Sequence, residues 1–363
     1  MKKLLRKLLG TRAKKSIADT ITWFDLKLVK LCATHGRMAS VYYLVFSRRF
    51  DREHLAVLQG RLSYARSLKK MGQSSPLLRR NVHRLEKGLI MRPRRSVFAE
   101  SFILETVRCF KAAQVTPGFS ESELRWARDV LDQYFGVVGS SPIVEAARTD
   151  YEVDGPATRA QALAAEKSFS PYPASLLPDS DITFDELFAL FTRRRSARWY
   201  QDKSVPETII HRAVAAASLA PSACNRQPFR FVVANDRNAA TRIAECAGGA
   251  AGFADQLPAL IVVVGDLSAY PFERDRHLIY VDASLASMQL MLAAETLGLA
   301  TCPINWPDVD RAETCLQRNL PLPPHERVIM LIAIGFAEAS GGIPYSKKKD
   351  VGSLIQMLAS NDH

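Results

Sequence analysis

Leu260-Ile261-Val262-Val263-Val264-Gly265 is the stretch that decides the fold of this chain. It carries no polar side chain, so both faces of the strand that it predicts must be covered. Residues 229–234 and 328–335 have the β-branched and aromatic composition of further strands. Segments with helical periodicity lie between these strands. The pattern predicts a central sheet between layers of helices, an αβα sandwich of the α+β class.

A helix predicted over residues 277–297 is apolar around most of its circumference. Such a helix has no face suited to water, so it must be covered on all sides. The cover comes either from its own domain or from a second copy of the chain. We therefore expect a homodimer whose interface includes this helix.

Residues 1–180 predict a separate and mostly helical domain. Apolar residues recur there at helical spacing, for example around Ile21, Phe102 and Leu131. Alternation typical of a strand is restricted to residues 41–46 and is too short to decide. Residues 168–180 are rich in proline and serine, as linkers often are. The expected domains are 1–180, with its linker at about 168–180, and 181–363.

Two Ser-x-x-Glu sequences have the spacing of capping boxes, Ser120 with Glu123 and Ser204 with Glu207. In the second sequence Pro206 would lie in the first helical turn, which is a favoured position for proline. We expect a helix to begin at each.

Composition is that of a soluble globular protein, with 363 residues, 47% hydrophobic and 24% charged. The uncharged apolar stretches near 257–265 and 283–294 are shorter than the ~20 residues of a membrane-spanning helix. The basic start lacks the apolar core of a secretion signal. The six cysteines form no C-x-x-C pair, which favours a reducing, cytoplasmic location over a disulfide scaffold. The seven dispersed histidines argue against a metal site.

The net charge of +12 is concentrated at one end of the chain. Residues 1–100 carry 24 Lys and Arg against 6 Asp and Glu, and the remainder is net negative. This distribution argues against nucleic acid as a partner of the whole chain. It favours salt-sensitive attraction of an anionic partner to the N-terminal half. A weak contact of residues 2–9 with an anionic membrane surface is one form of it.

Four segments of the C-terminal half suit a phosphorylated, planar ligand. Residues 193–198 combine guanidinium groups with a hydroxyl, and guanidinium forks match phosphate oxygens. Residues 221–229 offer donors and acceptors for the edge of a heterocycle. Residues 298–306 can present backbone groups, and residues 347–349 can form a second phosphate clamp. Taken singly, each also fits a solvated basic face, a polar turn, a helix end before a strand, or an exposed tail.

In order and spacing, the four segments resemble the nitroreductase family of flavin enzymes over about residues 184–360. Arg194-Arg195-Ser196-Ala197-Arg198 is similar to its Arg-Arg-Ser-x-Arg element. Pro221, Ser222, Asn225, Gln227 and Pro228 match its Pro-Ser-x-x-Asn-x-Gln-Pro loop. Gly298-Leu299-Ala300-Thr301 is close to the Gly-Leu-Gly-Thr that ends the central helix of the family.

The resemblance implies an FMN-binding domain in an obligate homodimer, with two flavins at the subunit interface. It also implies ping-pong hydride transfer from NAD(P)H through FMN to a small, anionic or neutral acceptor, with no protein acid or base. Arg194, Arg195, Ser196, Arg198, Lys347 and Lys348 are implied to bind the phosphate, the ribityl chain and the pyrimidine edge. Ser222, Asn225 and Gln227 are implied to reach the flavin from the second subunit, and Pro303, Ile304 and Asn305 to lie near its N5 atom. In many relatives a glycine-rich or Glu-Gly segment stands at these last positions, and an arginine replaces the lysine triplet.

One segment of the N-terminal half suggests a function, a basic face on a predicted helix. Arg80, His83, Arg84 and Lys87 share one face of a predicted helix and could hold an anionic substrate group. A solvated helix face explains them equally well. The expected role of the half is to recruit substrate without contributing to flavin binding. The alternative is a flavin-fold binding or assembly module whose basic domain contacts membrane, nucleic acid or a protein partner.

Overall fold

The computed structural model describes residues 11–152 and 168–358. The membrane contact predicted for residues 2–9 lies outside this range. The chain forms two compact units, Met1–Leu58 and Gln59–His363. The helices that follow residue 58 are thereby grouped with the sheet, and the boundary expected at 181 stays a prediction.

The first unit contains helices α1 (Thr11–Cys32) and α2 (Gly36–Tyr42), a π-helical turn (Tyr43–Ser47) and the start of α3 (Asp51–Ser67). Residues 41–46, where the sequence was ambiguous, are therefore helical. The hydroxyl of Tyr42 donates to the carboxylate of Asp25 and joins α2 to α1. The apolar side chains of α1 are mostly exposed.

Helices α4 (Pro76–Leu89), α5 (Ile103–Gln114), α6 (Glu121–Val137) and α7 (Pro142–Glu152) share one apolar core. Val82 of α4, Val107 of α5, Leu131 of α6 and Val144 of α7 are fully buried in it. The described residues up to 152 contain no strand, which confirms the helical prediction for that part of the chain.

The capping box predicted at α6 is half formed. The Ser120 hydroxyl accepts from the backbone N–H of Glu123 at 3.3 Å. The Glu123 carboxylate does not bond back to Ser120; it accepts instead from Ser74, Ser75 and Arg79. A tertiary contact has taken over this side chain.

The sheet is antiparallel, in the order β1 (Phe229–Ala234), β2 (Ala259–Asp266), β4 (Glu326–Gly335) and β3 (Ala300–Asn305). Helices α9 (Glu207–Ala217) and α11 (Leu278–Thr296) pack on one face, against side chains such as Ile261 and Val263. Helices α10 (Arg237–Ala244) and α12 (Asp310–Gln317) cover the other face, against Leu260 and Val262. The predicted αβα sandwich of the α+β class is confirmed.

Helix α11 faces the sheet with only part of its apolar surface. Ala283, Ala286 and Leu290 are fully buried, whereas Val281 is 52% exposed and Leu285 44%. The segment Glu273–Thr296 is long and apolar enough to cross a membrane by length and composition, contrary to the expectation that no stretch is. Its packing against the sheet is that of a core helix. Gly298, with φ of +79°, ends the helix and turns the chain into β3.

The capping box predicted at Ser204 is wrong. Helix α9 begins at Glu207, with Pro206 at its N-cap and no side-chain cap. Val205 precedes a proline and is disfavoured in helical conformation; its side chain is buried and its carbonyl accepts from Asn235 Nδ2 at 3.0 Å. A complete box lies elsewhere, where Thr183 and Glu186 cap helix α8 (Phe184–Arg193).

Cys246 and Cys315 form a disulfide, although the scattered cysteines argued against a disulfide scaffold. Cys246 follows α10 and Cys315 lies in α12, and both helices pack on the same face of the sheet. The two residues are 69 positions apart, so their spacing gave no sign of the pairing.

Candidate functional site

Residues 194–198, here called the arginine segment, leave the end of α8 and run beside β3. Ser196 forms a parallel bridge with Thr301, and the Ala197 N–H donates to the Thr301 carbonyl at 3.1 Å. Before the segment, Arg193 pairs with Glu295 near the end of α11 at 2.9 Å. The segment is therefore fixed at the edge of the sheet, next to the C-terminal end of α11.

The polar groups of the arginine segment converge on Cys302. Burial raises the pKa of the Cys302 thiol, while the charges of Arg198 and Arg194 and a hydrogen bond with Ser196 lower it. Those three residues are thus neighbours of one buried sulfur atom, and two of them are cations.

Two buried atoms at this edge lack a hydrogen-bond partner among the described residues, Arg194 Nε and Thr301 Oγ1. No carboxylate in the described part of the chain pairs with Arg194 or Arg198. Buried polar groups in native proteins are nearly always hydrogen-bonded. These atoms are accordingly available to an anionic or polar ligand.

Arg195 has a different use. Its Nη2 donates to the carbonyl of Pro344 at 2.9 Å and to that of Tyr345. This fastens the chain just ahead of Lys347 and Lys348, whose side chains are exposed. The guanidinium of Arg195 therefore anchors the backbone two residues ahead of the predicted lysines, while the Lys347 ammonium itself lies 3.6 Å from Asp350.

Residues 221–228, the serine loop, are tightly folded. The Ser222 hydroxyl accepts from the Gln227 N–H at 3.1 Å, and the Ser222 carbonyl accepts from the Asn225 N–H at 2.9 Å. Cys224, Asn225 and Gln227 all have left-handed backbone conformation, with φ between 50° and 53°. Such conformations cost of order 1 kcal/mol or more each in non-glycine residues, so the surroundings must hold them.

One support of the serine loop is Asp282 of α11. Its Oδ2 accepts from the Ala223 N–H at 2.9 Å and from the Tyr270 hydroxyl at 3.3 Å. Burial raises the pKa of Asp282, and the Ala223 N–H opposes the shift. Sequence reasoning missed this residue, although Asp282 is the single charged side chain in the run 278–294 and was a visible signal.

The other support is Arg79 of α4. Its Nε donates to the Asn225 carbonyl at 2.8 Å and its Nη2 to Gln227 Oε1 at 3.0 Å. Its Nη1 pairs at 3.0 Å with Glu123, whose side chain is 3% exposed. A residue of the N-terminal half thus holds the serine loop directly, a contact that the sequence did not predict.

The predicted substrate face of α4 is divided. Burial and the neighbouring charge of Arg80 lower the pKa of Arg84, and Cys224 of the serine loop opposes this, so the three residues are close. His83 Nδ1 lies 3.2 Å from Glu86 Oε2, and Lys87 is exposed. Only Arg80 and Arg84 are placed beside the loop.

The arginine segment and the serine loop lie at opposite ends of α11. Asp282 supports the loop and Glu295 pairs next to the segment. The thirteen residues between them span about 20 Å of helix. The two groups of side chains therefore do not meet around one small ligand within a single chain.

The strand residues predicted near the ring differ in access. Ile304 is 3% exposed and packs in the core, while Pro303 and Asn305 are exposed on β3. Beside the serine loop, a pocket of about 620 Å³ is lined by Arg79, Gln227 and side chains of α9 and β1. No three His, Cys, Asp or Glu side chains cluster as metal ligands among the described residues.

Comparison with known proteins points to one family. The model of the nitroreductase family matches residues 191–251 and 245–336. A provisionally named NADH dehydrogenase/NAD(P)H nitroreductase from Archaeoglobus fulgidus is 32% identical over 158 residues, 42% of this chain and 86% of the relative. A protein of the same name from Methanothermobacter thermautotrophicus is 31% identical over 165 residues, 45% of this chain and 84% of the relative. The solved FMN-dependent nitroreductase from Clostridium difficile is 26% identical, with a TM-score of 0.38 over 44% of this chain and 92% of that one.

Proposed function

The chain belongs to the nitroreductase family, and we propose that it is an FMN-dependent oxidoreductase that takes electrons from NAD(P)H and passes them to a small acceptor. The observation that carries the proposal is the unpaired state of Arg194 Nε and Thr301 Oγ1. A phosphorylated cofactor would satisfy both atoms.

The arginine segment fits the phosphate end of FMN. Arg194 and Arg198 supply two guanidinium groups without carboxylate partners in the described chain, and Ser196 supplies a hydroxyl between them. Guanidinium groups bind phosphate oxygens through paired N–H donors. Lys347 and Lys348, positioned through Arg195, would add positive charge.

The serine loop fits the ring of the flavin. The Ser222 hydroxyl and the Asn225 amide offer donors and acceptors, and the contacts of Arg79 and Asp282 hold the loop in place. The predicted contact of Gln227 is less well supported, because its amide accepts from Arg79 and donates to the Ser218 carbonyl within the chain. Because the loop is about 20 Å from the segment along α11, the loop of one copy would complete the site of another.

We therefore propose a homodimer, which exposed apolar side chains on two helices support. On α11, Val281, Leu285 and Met288 are exposed at helical spacing. On α8, Phe184, Phe188 and Phe191 are exposed as well. Apolar surface of this kind on neighbouring helices is typical of a protein interface. Sedimentation velocity at micromolar concentration should show a dimer, and a folded monomer would refute the shared site.

Bound FMN would supply the redox chemistry, accepting hydride from NAD(P)H in one half-reaction and reducing the acceptor in the next. The part of this chain is to bind and orient. The guanidinium groups of Arg194 and Arg198 would hold the negatively charged phosphate of the cofactor. No protein acid or base is required at the reacting atoms.

The test of the proposed function is the visible spectrum of the purified protein. We expect a yellow protein with about one FMN per chain that oxidises NADH or NADPH in the presence of an electron acceptor. A colourless protein that takes up no FMN on titration would refute the proposal.

A second role is favoured for the first unit by its exposed apolar side chains. Ile17, Ile21, Phe24 and Leu31 are 47–64% exposed at helical spacing on α1. In the π-helical turn, Leu44, Val45 and Phe46 are 58–74% exposed just ahead of Arg48 and Arg49.

The charge of the first unit indicates which kind of partner this apolar surface binds. Residues 1–58 carry 13 Lys and Arg against 4 Asp and Glu. Apolar side chains flanked by cations suit an anionic membrane surface. We propose that the first unit binds such a surface peripherally and that the protein works at the cytoplasmic face.

Vesicle flotation tests this role. Binding should need phosphatidylserine in the vesicles and weaken as salt rises. Lys27→Glu with Lys30→Glu should abolish it, whereas Lys69→Glu with Lys70→Glu, the same charge change in the second unit, should not. The role would be refuted if both double variants bound the vesicles equally well. It would also be refuted if the wild type bound vesicles made only of phosphatidylcholine.

A further inference from the structure

Arg226 is a buried cation in the middle of the serine loop. Its side chain is 9% exposed, and its guanidinium lies 4.9 Å from the ring centre of Tyr270. Its Nε is buried without a hydrogen-bond partner, and no carboxylate pairs with it, in the described part of the chain. Asp282 is near enough to feel its charge, but Asp282 Oδ2 is occupied by Ala223 and Tyr270. A buried charge without a partner is costly, so Arg226 needs an anion from elsewhere.

Arg80 and Arg84 bring two more cations to the same place. They are one helical turn apart on α4, both half-buried, so their side chains lie on the same face. The Arg84 guanidinium lies 3.7 Å from the ring centre of Phe102. Glu105 is the carboxylate whose charge reaches Arg84, but it accepts from Asn81 Nδ2 at 3.0 Å and forms no ion pair with Arg84.

Tyr64 of α3 lies near two of the three arginines, Arg80 and Arg226. Burial raises the pKa of this tyrosine, and the charges of Arg80 and Arg226 both oppose the shift. Arg80 and Arg226 are thus neighbours of one 7% exposed ring, although they come from residues 146 positions apart. Glu105 and Asp282 are nearby, but among the described residues neither forms an ion pair with any of the three arginines. Cations drawn together without ion-paired carboxylates favour an anion site over a stabilising network.

We propose that Arg80, Arg84 and Arg226 bind the carboxylate or phosphate group of the electron acceptor. The identity of the ligand as an acceptor rests on the proposed function, because Ser222 and Asn225 of the same loop are the residues proposed to face the flavin. An anion held by the three arginines would direct the rest of its molecule towards that ring. The substrate class is then a small organic anion, which matches a planar guanidinium fork better than a neutral acceptor would.

Calorimetric titration of the full-length protein tests the site without using its activity. Inorganic phosphate and benzoate are titrated separately at constant ionic strength into the wild type, Arg80→Gln, Arg84→Gln and Arg242→Gln. Arg242 is an exposed arginine on α10, so its variant controls for the loss of one positive charge. We expect one of the two anions to bind, with about tenfold weaker binding in each of the first two variants and no change in the third. The anion that binds more tightly shows whether the site prefers a phosphate or a carboxylate group. If neither binds, or if all three variants weaken binding equally, the site is refuted.

Steady-state kinetics with NADH then tests the ligand as an acceptor. 4-Nitrobenzoate, 4-nitrophenyl phosphate and the neutral 4-nitrobenzyl alcohol serve as matched acceptors. Arg84→Gln should raise KM about tenfold for the preferred anion and leave FMN content, kcat and the KM of the alcohol unchanged. An equal loss with all three acceptors would overturn the assignment. A protein without FMN would refute the proposed function alone, because the titration still decides the anion site.

Discussion

The two ends of α11 hold their polar groups in opposite ways. At the Glu295 end, the arginine segment leaves Arg194 Nε and Thr301 Oγ1 buried without partners in the described chain. At the Asp282 end, the serine loop is bonded to Asp282 and Arg79. At the Asp282 end the loop backbone is held by the chain itself, although Arg226 Nε also lacks a partner in the described chain. The comparison teaches that one motif has a backbone fixed by protein contacts, whereas the other has buried side-chain atoms that the proposed ligand would satisfy.

We expect contacts at the Asp282 end of α11 to contribute more to the free energy of unfolding than contacts at the Glu295 end. Glu123→Ala removes the carboxylate that receives Arg79, Ser74 and Ser75 and leaves a largely buried guanidinium unpaired. We expect the free energy of unfolding to fall by about 3–5 kcal/mol in urea denaturation. Glu121→Ala, an exposed residue in the same first turn, is the control. Equal effects of the two substitutions would show that the buried pair is not a support.

At the Glu295 end of α11, we expect substitutions to weaken FMN binding and to leave folding stability unchanged or higher. Arg194→Gln combined with Arg198→Gln is expected to weaken FMN binding about 100-fold, because each charged hydrogen bond contributes about 1.5 kcal/mol. The unfolding free energy of the FMN-free protein should be unchanged or higher, since cations without partners are removed. Fluorescence titration and urea denaturation measure the two quantities. Arg193→Gln, which loses a pair with Glu295 and is 75% exposed, should bind FMN normally.

The contribution of Asp282 to folding stability is expected to depend on pH. Because burial raises its pKa, the carboxyl adds most to folding stability below its ordinary pKa of 3.8, and this part is lost as pH rises through the raised value. In Asp282→Asn one amide oxygen can still accept both bonds that reach Oδ2. The variant should therefore lose stability less steeply than the wild type as pH rises from about 4, and at pH 7 it should match or exceed it within about 1 kcal/mol. Asp255→Asn, an exposed substitution, serves as control. A pH profile identical to that of the wild type would contradict the burial argument.

Thr301→Val, at the Glu295 end of α11, is expected to have the smallest effect of these substitutions. The substitution keeps the side-chain shape and removes a hydroxyl that has no partner in the described chain. Stability of the FMN-free protein should change by less than about 1 kcal/mol, while FMN affinity should fall several-fold, as for one lost neutral hydrogen bond. A variant that unfolds at lower urea concentration would reveal a partner within the protein.

The sheet was predictable because its signal is local. Residues 260–265 are apolar throughout, and β2 is the central buried strand that such a run requires. The helix start at Ser204 failed because a proline two residues later and a buried Val205 outweighed the Ser-x-x-Glu spacing. The pairing of Cys246 with Cys315 depends on how two helices pack and leaves no trace in spacing.

The candidate site was predictable to the extent that it is a set of motifs. Residues 194–198 and 221–228 are recognisable because their polar side chains are close in sequence. Arg79 and Asp282 were missed because their bonds to the serine loop span 146 and 59 positions of the chain. Arg226 was missed because its neighbours Tyr64 and Tyr270 lie 162 and 44 positions away. Arg79 stands beside the residues that were singled out on α4, which shows how a helix face can be recognised while its key member is not.

The bridge between Ser196 and Thr301 also has a consequence for biosynthesis. Its two sides are separated by 105 residues, which a ribosome adds at roughly 5–20 residues per second. The arginine segment therefore emerges about 5–20 s before the strand that shapes it. Long-range pairings also form late in folding, since loop closure must precede them. The arginine segment is thus shaped on a nearly finished chain, and we expect uptake of the proposed cofactor to begin only after β3 has been synthesised.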